Sequence, residues 1–323
     1  MLTLKEKVKQ LPETPGIYYM KNVKNQVIYV GKAKNLNRRV SSYFVNSKAH
    51  ANKTKQMIRL IDHFDFQLVD TEFDALILEC ETIHRLRPPF NRLMNHYEEY
   101  GYFQFLNESP FFKVLDDWSD QGFVIGPFYR KSKMLEFKDT MNSVYHLEGP
   151  LRYAKGVVAD YQNIPPEKEF LLRLEEIKQT LLGRSTNVLT RIEERVEAAS
   201  ARKDFEAAQR WWSNYLLIER FLRRNRQLLQ ATNNSVFVGI LSENKKYYCY
   251  LYVKGQLISR VVYQRKPQPD QVYRRLIKQV SAKNWRNLQE KKYLDKQDVD
   301  LFPIFFNYLN RNGQIIRFSW PEL

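Results

Sequence analysis

The 323-residue chain carries 52 Lys+Arg against 36 Asp+Glu, a formal net charge of +16, with 43% hydrophobic residues. That length suits two or three domains, and the positive excess points to a polyanionic partner: nucleic acid, ahead of an anionic membrane, because no long apolar span or basic amphipathic anchor is visible. Two distant cysteines, Cys80 and Cys249, exclude a disulfide framework or a cysteine metal cluster, and MLTLKEKVKQL lacks the apolar core of a secretory signal, so a cytoplasmic protein is expected.

Residues 4–11 read as a short helix closed by the turn PETPG. Two β-branched, tyrosine-rich runs, GIYYM and QVIYVG, flank a polar turn and predict a β-hairpin. Beyond Gly31 the period of two is lost, and Leu36 to Phe44 predicts a helix. On that helix Arg39 and Tyr43 are four residues apart and share a face. In the second strand Tyr29 points away from Ile28 and Val30. Hairpin and helix can therefore bring Tyr18, Tyr29, Lys32, Arg39 and Tyr43 together. Phenolic hydroxyls beside fixed cations suit chemistry on a phosphate. Charge concentrates here too: residues 1–60 hold 13 Lys+Arg against 2 Asp+Glu. Each tyrosine alone could simply fill a half-buried sheet; all five residues in one register form a more specific pattern.

Residues 45–56 (VNSKAHANKTKQ) predict a basic loop bordering DNA, with a solvated linker as the alternative. Gln56–His63 predicts a helix and Phe64–Val69 a third strand. Thr71-x-x-Asp74 has the form of a capping box, with Asp in place of Glu, opening a helix from Glu72 to Arg87. Its apolar stripe is Phe73, Leu76, Ile77, Cys80 and Ile83, and Glu79 falls on the border of that stripe. A carboxylate there is costly unless paired with a cation or metal, or unless it snorkels to the surface.

GIY at 16–18 and YVG at 29–31 resemble the GIY-YIG nuclease domain. The longer match, PGIYYM…VIYVGKAKNLNRRVSSYF, is similar to the amino terminus of the UvrC/Cho excinuclease family. LILE followed by RPPFN matches that family's metal-binding glutamate and later asparagine. The resemblance implies Glu79 as ligand of one Mg²⁺ or Mn²⁺ and Asn91 closing the site. Tyr29 is expected as general base with Tyr18 its close competitor, Arg39 as stabiliser of developing charge, Lys32 as tuner of the base and Tyr43 as a hydroxyl that positions phosphate. A phenol of pKa ~10 is a poor base at neutral pH. Lys32, Arg39 and a divalent cation are expected to lower that value. Lys34, Arg38, Lys53 and Lys55 are the expected DNA contacts.

From Tyr97 to about Pro150 the chain predicts short strands (FFKVL, GFVIGPFY) and a helix near Ser132–Tyr145. GPFYRKSKMLEF resembles the family's segment after the nuclease domain. Many relatives then carry a four-cysteine iron–sulfur motif; residues 126–170 contain no cysteine, and no cluster is expected. Residues 167–230 predict helices, with Leu189–Ala201 and Asp204–Arg224 joined at Arg202–Lys203. RIEERVEAASARKDFEAAQRW resembles the UVR motif, a helical hairpin through which UvrC and UvrB bind each other, with Phe205 as its apolar anchor. Arg210-Trp211-Trp212 departs from that motif, and a generic hairpin packed on its own chain is the alternative. SVFVGIL, KYYCYLYV and QLISRVVY predict three strands, followed by a helix near Gln271–Val280 and a strand over Gln314–Trp320. No carboxylate triad of an RNase H-like second nuclease can be assembled.

The expected fold class is α+β. It comprises a nuclease domain at 1–100 with a small antiparallel sheet, a connecting region at 101–166, a helical region with a hairpin at 167–232, and a small α/β module at 233–323. The expected function is a metal-dependent endonuclease making one incision, 3′ to a lesion, in damaged double-stranded DNA presented by UvrB. The alternatives are a GIY-YIG nuclease of recombination or phage defence, and a non-catalytic adaptor that binds DNA or UvrB.

Overall fold

The structure is a computed structural model that describes residues 4–45, 51–95, 97–147, 165–231, 236–291 and 293–321. In the amino-terminal region β1 (Gly16–Lys21), β2 (Val27–Ala33) and β3 (His63–Leu68) form an antiparallel sheet in the order β2-β1-β3. Tyr18 pairs with Gly31 and Met20 with Tyr29, so both tyrosines stand on one face, two rungs apart. Gly31 is required there: a Cβ would lie 2.3 Å from the Tyr18 hydroxyl and 2.9 Å from the Tyr29 ring. Around this sheet lie α1 (Leu4–Lys9), α2 (Leu36–Phe44), α3 (Asn52–Leu60) and α4 (Glu72–Leu86). The Asn35 side chain caps α2 by accepting from the Arg38 amide at 2.8 Å, which fixes the phase of the helix; Leu36, Val40 and Tyr43 are then its buried face. Thr71 caps α4 through the Asp74 amide at 3.0 Å, as the capping box predicted. The expected loop at 45–56 is corrected in its second half. Helix α3 opens at Asn52, because Met57 and Ile58 anchor it to the core while Lys53 and Lys55 sit half-buried beside them. Residues 46–50 of that loop lie outside the described residues.

A second sheet, β5-β4-β6, is built from β4 (Tyr100–Phe105), β5 (Phe112–Leu115) and β6 (Phe123–Tyr129). Helices α5 (Lys131–Tyr145), α6 (Pro166–Leu181), α7 (Asn187–Ala201) and α8 (Phe205–Ala231) follow. Phe103, Phe128 and Phe137 share one core with Ile177, Ile192 and Phe221. The boundary expected at 166–167 therefore falls inside a single core. Residues 148–164, within the stretch expected to hold no cluster, lie outside the described residues.

The carboxy-terminal sheet runs β10-β7-β8-β9, wholly antiparallel, from β7 (Val236–Glu243), β8 (Lys246–Val253), β9 (Gln256–Tyr263) and β10 (Gly313–Phe318). Helices α9 (Pro269–Lys278) and α10 (Ala282–Glu290), with buried Trp285, cover one face. The other face is covered by α11 (Leu301–Asn312) and by α4 of the amino-terminal region, whose Phe73 is fully buried between Tyr250, Phe305 and Tyr308. Polar ties reinforce that contact. The Tyr250 hydroxyl donates to Asp74 at 3.1 Å, Arg260 pairs with Asp70 at 2.6 Å and Asp74 at 3.2 Å, and His84 meets Asp300 at 2.9 Å. The carboxy-terminal module thus grips the same helix that carries Glu79. Among the described residues no helix is long and apolar enough to cross a membrane.

Candidate active site

The tyrosine-bearing face of the hairpin and the Arg39 face of α2 enclose a cavity of about 790 Å³, lined by Tyr18, Tyr29, Lys32, Arg39 and Glu79 and rimmed by Lys34 and Arg38. Three phenol rings cluster there, with centroids 6.1 Å apart for Tyr18–Tyr29, 5.9 Å for Tyr18–Tyr43 and 6.2 Å for Tyr29–Tyr43. The Tyr18 and Tyr43 hydroxyls are hydrogen-bonded at 2.8 Å, and Arg39 donates to the Tyr43 hydroxyl at 3.2 Å. Tyr18 is fully buried; Tyr29 is only partly buried. A second cavity of about 260 Å³ shares Tyr29, Arg39 and Ser42 and continues past Tyr43 to Lys53 and Phe90, where the Lys53 ammonium stands 5.8 Å from the ring centre. Tyr29 and Arg39 therefore form the wall common to both halves of a groove.

Burial raises the pKa of Tyr18 and of Tyr29 above the ordinary phenol value, and the neighbouring phenols reinforce the rise; Arg39 pulls in the opposite direction and does not win. Of the three cations expected to lower the phenol pKa, Arg39 acts in that direction but is outweighed by burial. Lys32 gives no such help, because its ammonium pairs with Glu72 in the first turn of α4. Its backbone amide instead donates to Glu79 Oε1 at 2.9 Å, tying α4 to β2. Glu79 is largely buried, and burial raises its pKa, opposed first by the Lys32 amide and then by the Lys32 and Arg39 charges. A desolvated carboxylate on the wall of a polar cavity fits a divalent cation, and one carboxylate ligand suits Mg²⁺, which keeps several waters.

Asn91 is placed otherwise than expected. Its Oδ1 accepts from the Val30 amide at 3.0 Å and its Nδ2 donates to the Val30 carbonyl at 2.9 Å. Both ends of the carboxamide bond the backbone next to Tyr29, so Asn91 positions that strand; it lines neither cavity. Phe205 stands apart on the first residue of α8, 72% exposed, while Asp204 caps the helix through the Ala207 amide at 3.0 Å. The rest of the hairpin packs into its own chain through Val188, Ile192, Ile218 and Phe221. Lys55 lines neither cavity. Sequence reading missed Glu13, Ser42 and Glu72. Ser42 is three residues from Arg39, a helical spacing that could have found it; Glu72 reads only as a first-turn acid.

A model of the UvrC-like GIY-YIG domain matches residues 14–92. Over 281 residues the chain is 27% identical to UvrABC system protein C of Alkaliphilus oremlandii, covering 80% of this chain and 45% of that protein. It is 29% identical over 267 residues to UvrABC system protein C of Clostridium acetobutylicum, covering 76% and 42%. The chain thus spans less than half the length of these relatives. Among solved structures, the GIY-YIG amino-terminal endonuclease domain of UvrC from Thermotoga maritima, bound to its catalytic magnesium, is 35% identical. It aligns over 28% of this chain and 96% of that domain, with a TM-score of 0.25.

Proposed function

Since this chain belongs, through residues 14–92, to the UvrC-like GIY-YIG family, we propose that it is a metal-dependent endonuclease of double-stranded DNA. The observation that carries the reading is one cavity in which a half-buried phenol, a guanidinium and a desolvated carboxylate meet beneath a basic rim. A phosphodiester needs an activated water, neutralisation of charge at phosphorus and help for the leaving oxygen.

Tyr29, in its deprotonated form, takes the proton of the attacking water. It is preferred to Tyr18 because Tyr18 is fully buried with its hydroxyl committed to Tyr43. Arg39 neutralises charge developing on the phosphate, and the Tyr18–Tyr43–Arg39 chain of hydrogen bonds holds that guanidinium in place. Glu79 would hold Mg²⁺ or Mn²⁺, which when bound supplies charge neutralisation at the phosphate and favours departure of the leaving oxygen. Lys34, Arg38 and Lys53 contact flanking phosphates, and Asn91 fixes the strand that carries Tyr29.

We infer further that the activity serves excision repair of damaged DNA in the cytoplasm, with UvrB as the loading partner; the likeness to UvrABC system protein C supports this reading. The exposed Phe205 at the hairpin tip suits capture by an apolar pocket on that partner. The test is Mg²⁺-dependent nicking of a duplex bearing one lesion, with and without UvrB. Nicking that UvrB stimulates, and that Phe205→Ala reduces without lowering the melting temperature, is the expected result. Absence of nicking under every condition overturns the nuclease reading, and nicking indifferent to UvrB overturns the partner.

A further inference from the structure

The carboxy-terminal sheet ends beside the cavity. Glu243 pairs with Lys246 across the β7–β8 turn, and Leu241 pairs with Gly313, so that turn and the end of α11 lie at the same edge of the sheet. This edge is docked on the nuclease region: Tyr308 of α11 stacks on Phe73 with centroids 5.3 Å apart. The residue before Phe73 is Glu72, whose carboxylate pairs with Lys32 on the cavity wall. Glu243, just before the turn, feels the Lys34 charge of the cavity rim as well as those of Glu72 and Asp74.

The turn itself is stiff. Asn244 and Lys245 have φ of 51° and 61°, the left-handed pair that matches the twist of a hairpin. Lys245, Lys246 and Arg311 are all exposed at this edge, and among the described residues none of the three has an acidic ion-pair partner. Of the nearby acids, Glu72 is already paired with Lys32, and Glu243 is half-buried. Unpaired cations held on a rigid turn next to a phosphate-cutting cavity are positioned for a polyanion too wide for the cavity alone.

Resting on the nuclease reading above, we propose that this edge of the carboxy-terminal module is the second wall of the DNA track. Lys245, Lys246 and Arg311 contact backbone phosphates of the duplex beyond those held at Lys34 and Arg38. The module then has two tasks: it braces α4, and it extends the footprint of the nuclease across the duplex.

The test uses the full chain and a fluorescent duplex, with binding followed by anisotropy in EDTA over a range of salt. The triple variant Lys245→Ala, Lys246→Ala, Arg311→Ala should bind at least tenfold more weakly, and the slope of log affinity against log salt should flatten by about 2–3, roughly 0.9 per lost phosphate contact. Its melting temperature should be unchanged, and arginine at 245 and 246 should retain the slope. An unaltered slope, with wild-type binding and nicking intact, overturns this proposal alone. A wild type that binds without nicking, together with a flattened variant slope, removes the nuclease reading and leaves the contact standing. Failure of the wild type to bind DNA removes both.

Discussion

Two antiparallel sheets in this molecule are rich in tyrosine, and they use it differently. In the amino-terminal sheet Tyr18 and Tyr29 face a cavity with Arg39 and Glu79. In the carboxy-terminal sheet Tyr250 and Tyr252 face Phe73 and Phe305 in a packed core. Burial raises the phenol pKa in both places, so a perturbed tyrosine is not in itself a mark of chemistry. The difference is what lies opposite the hydroxyl. Tyr29 lines an open cavity together with a cation, a carboxylate and the Tyr43 hydroxyl; the Tyr250 hydroxyl meets Asp74 of α4 and its cap Thr71. One sheet presents phenols to an open cavity, and the other uses them to hold a helix.

The comparison breaks most easily at Tyr29. Tyr29→Phe should reduce nicking by roughly 10²–10⁴-fold, the usual share of a proton-transferring group, with melting and DNA affinity unchanged. Because burial holds this phenol above its ordinary value, the deprotonated fraction is small at neutral pH and grows as pH rises. The wild-type nicking rate at saturating Mg²⁺ should therefore climb throughout the neutral and mildly alkaline range. A flat profile would contradict a phenolate base altogether, and loss of nicking in Tyr18→Phe with Tyr29→Phe active would transfer the role of base to Tyr18.

In the other sheet the effects should be on stability. Phe73→Ala empties the centre of the contact between α4 and the module and should cost about 3–5 kcal/mol, read by denaturant titration. Tyr250→Phe removes the bonds of its hydroxyl to Asp74 and Thr71, which keep each other as partners, and should cost about 1 kcal/mol. Tyr252→Phe should cost nothing measurable, because its buried hydroxyl has no hydrogen-bond partner to lose. A Tyr252→Phe variant as damaged as Tyr250→Phe would show that the Tyr252 hydroxyl has a stabilising partner after all, and would remove the distinction between the two.

Much of the nuclease region was legible because its signals are local. Alternation marked the hairpin, the loss of alternation after Gly31 marked α2, and helical spacing put Arg39 under Tyr43. The border position of Glu79 on its helix allowed either a cation or an escape to solvent, and only the resemblance of LILE and RPPFN favoured the cation. What escaped depended on partners distant in sequence. Strand β4 was not recognised because Tyr100–Phe105 is central and buried on both faces, so it shows no alternation. Helix α11 was missed because LFPIFFNYLN is apolar nearly all round, being sandwiched between a sheet and another helix, and because Pro303 in its first turn reads as a breaker. Phe73 was visible as part of an apolar stripe, but a stripe does not say whether it packs on its own domain or on another. The pairing of Lys32 with Glu72, and of Asn91 with Val30, likewise depends on register between elements 40 and 61 residues apart in sequence.

Glu79→Gln tests the central claim most directly, because the same change should move activity and stability in opposite directions. Its raised pKa means that the protonated form suits the fold: the associated stability is present below the ordinary carboxylate range and is lost as pH rises through the raised value. At neutral pH the ionised side chain is therefore a burden, tolerated if it serves to hold a cation. Glutamine keeps an oxygen for the Lys32 amide and removes the charge. The account predicts that this variant melts higher at neutral pH, by about 0.5–2 kcal/mol of added stability. It should bind duplex DNA as the wild type does in EDTA and show no Mg²⁺-dependent nicking. A variant that nicks at the wild-type rate, or that loses stability together with activity, would contradict it.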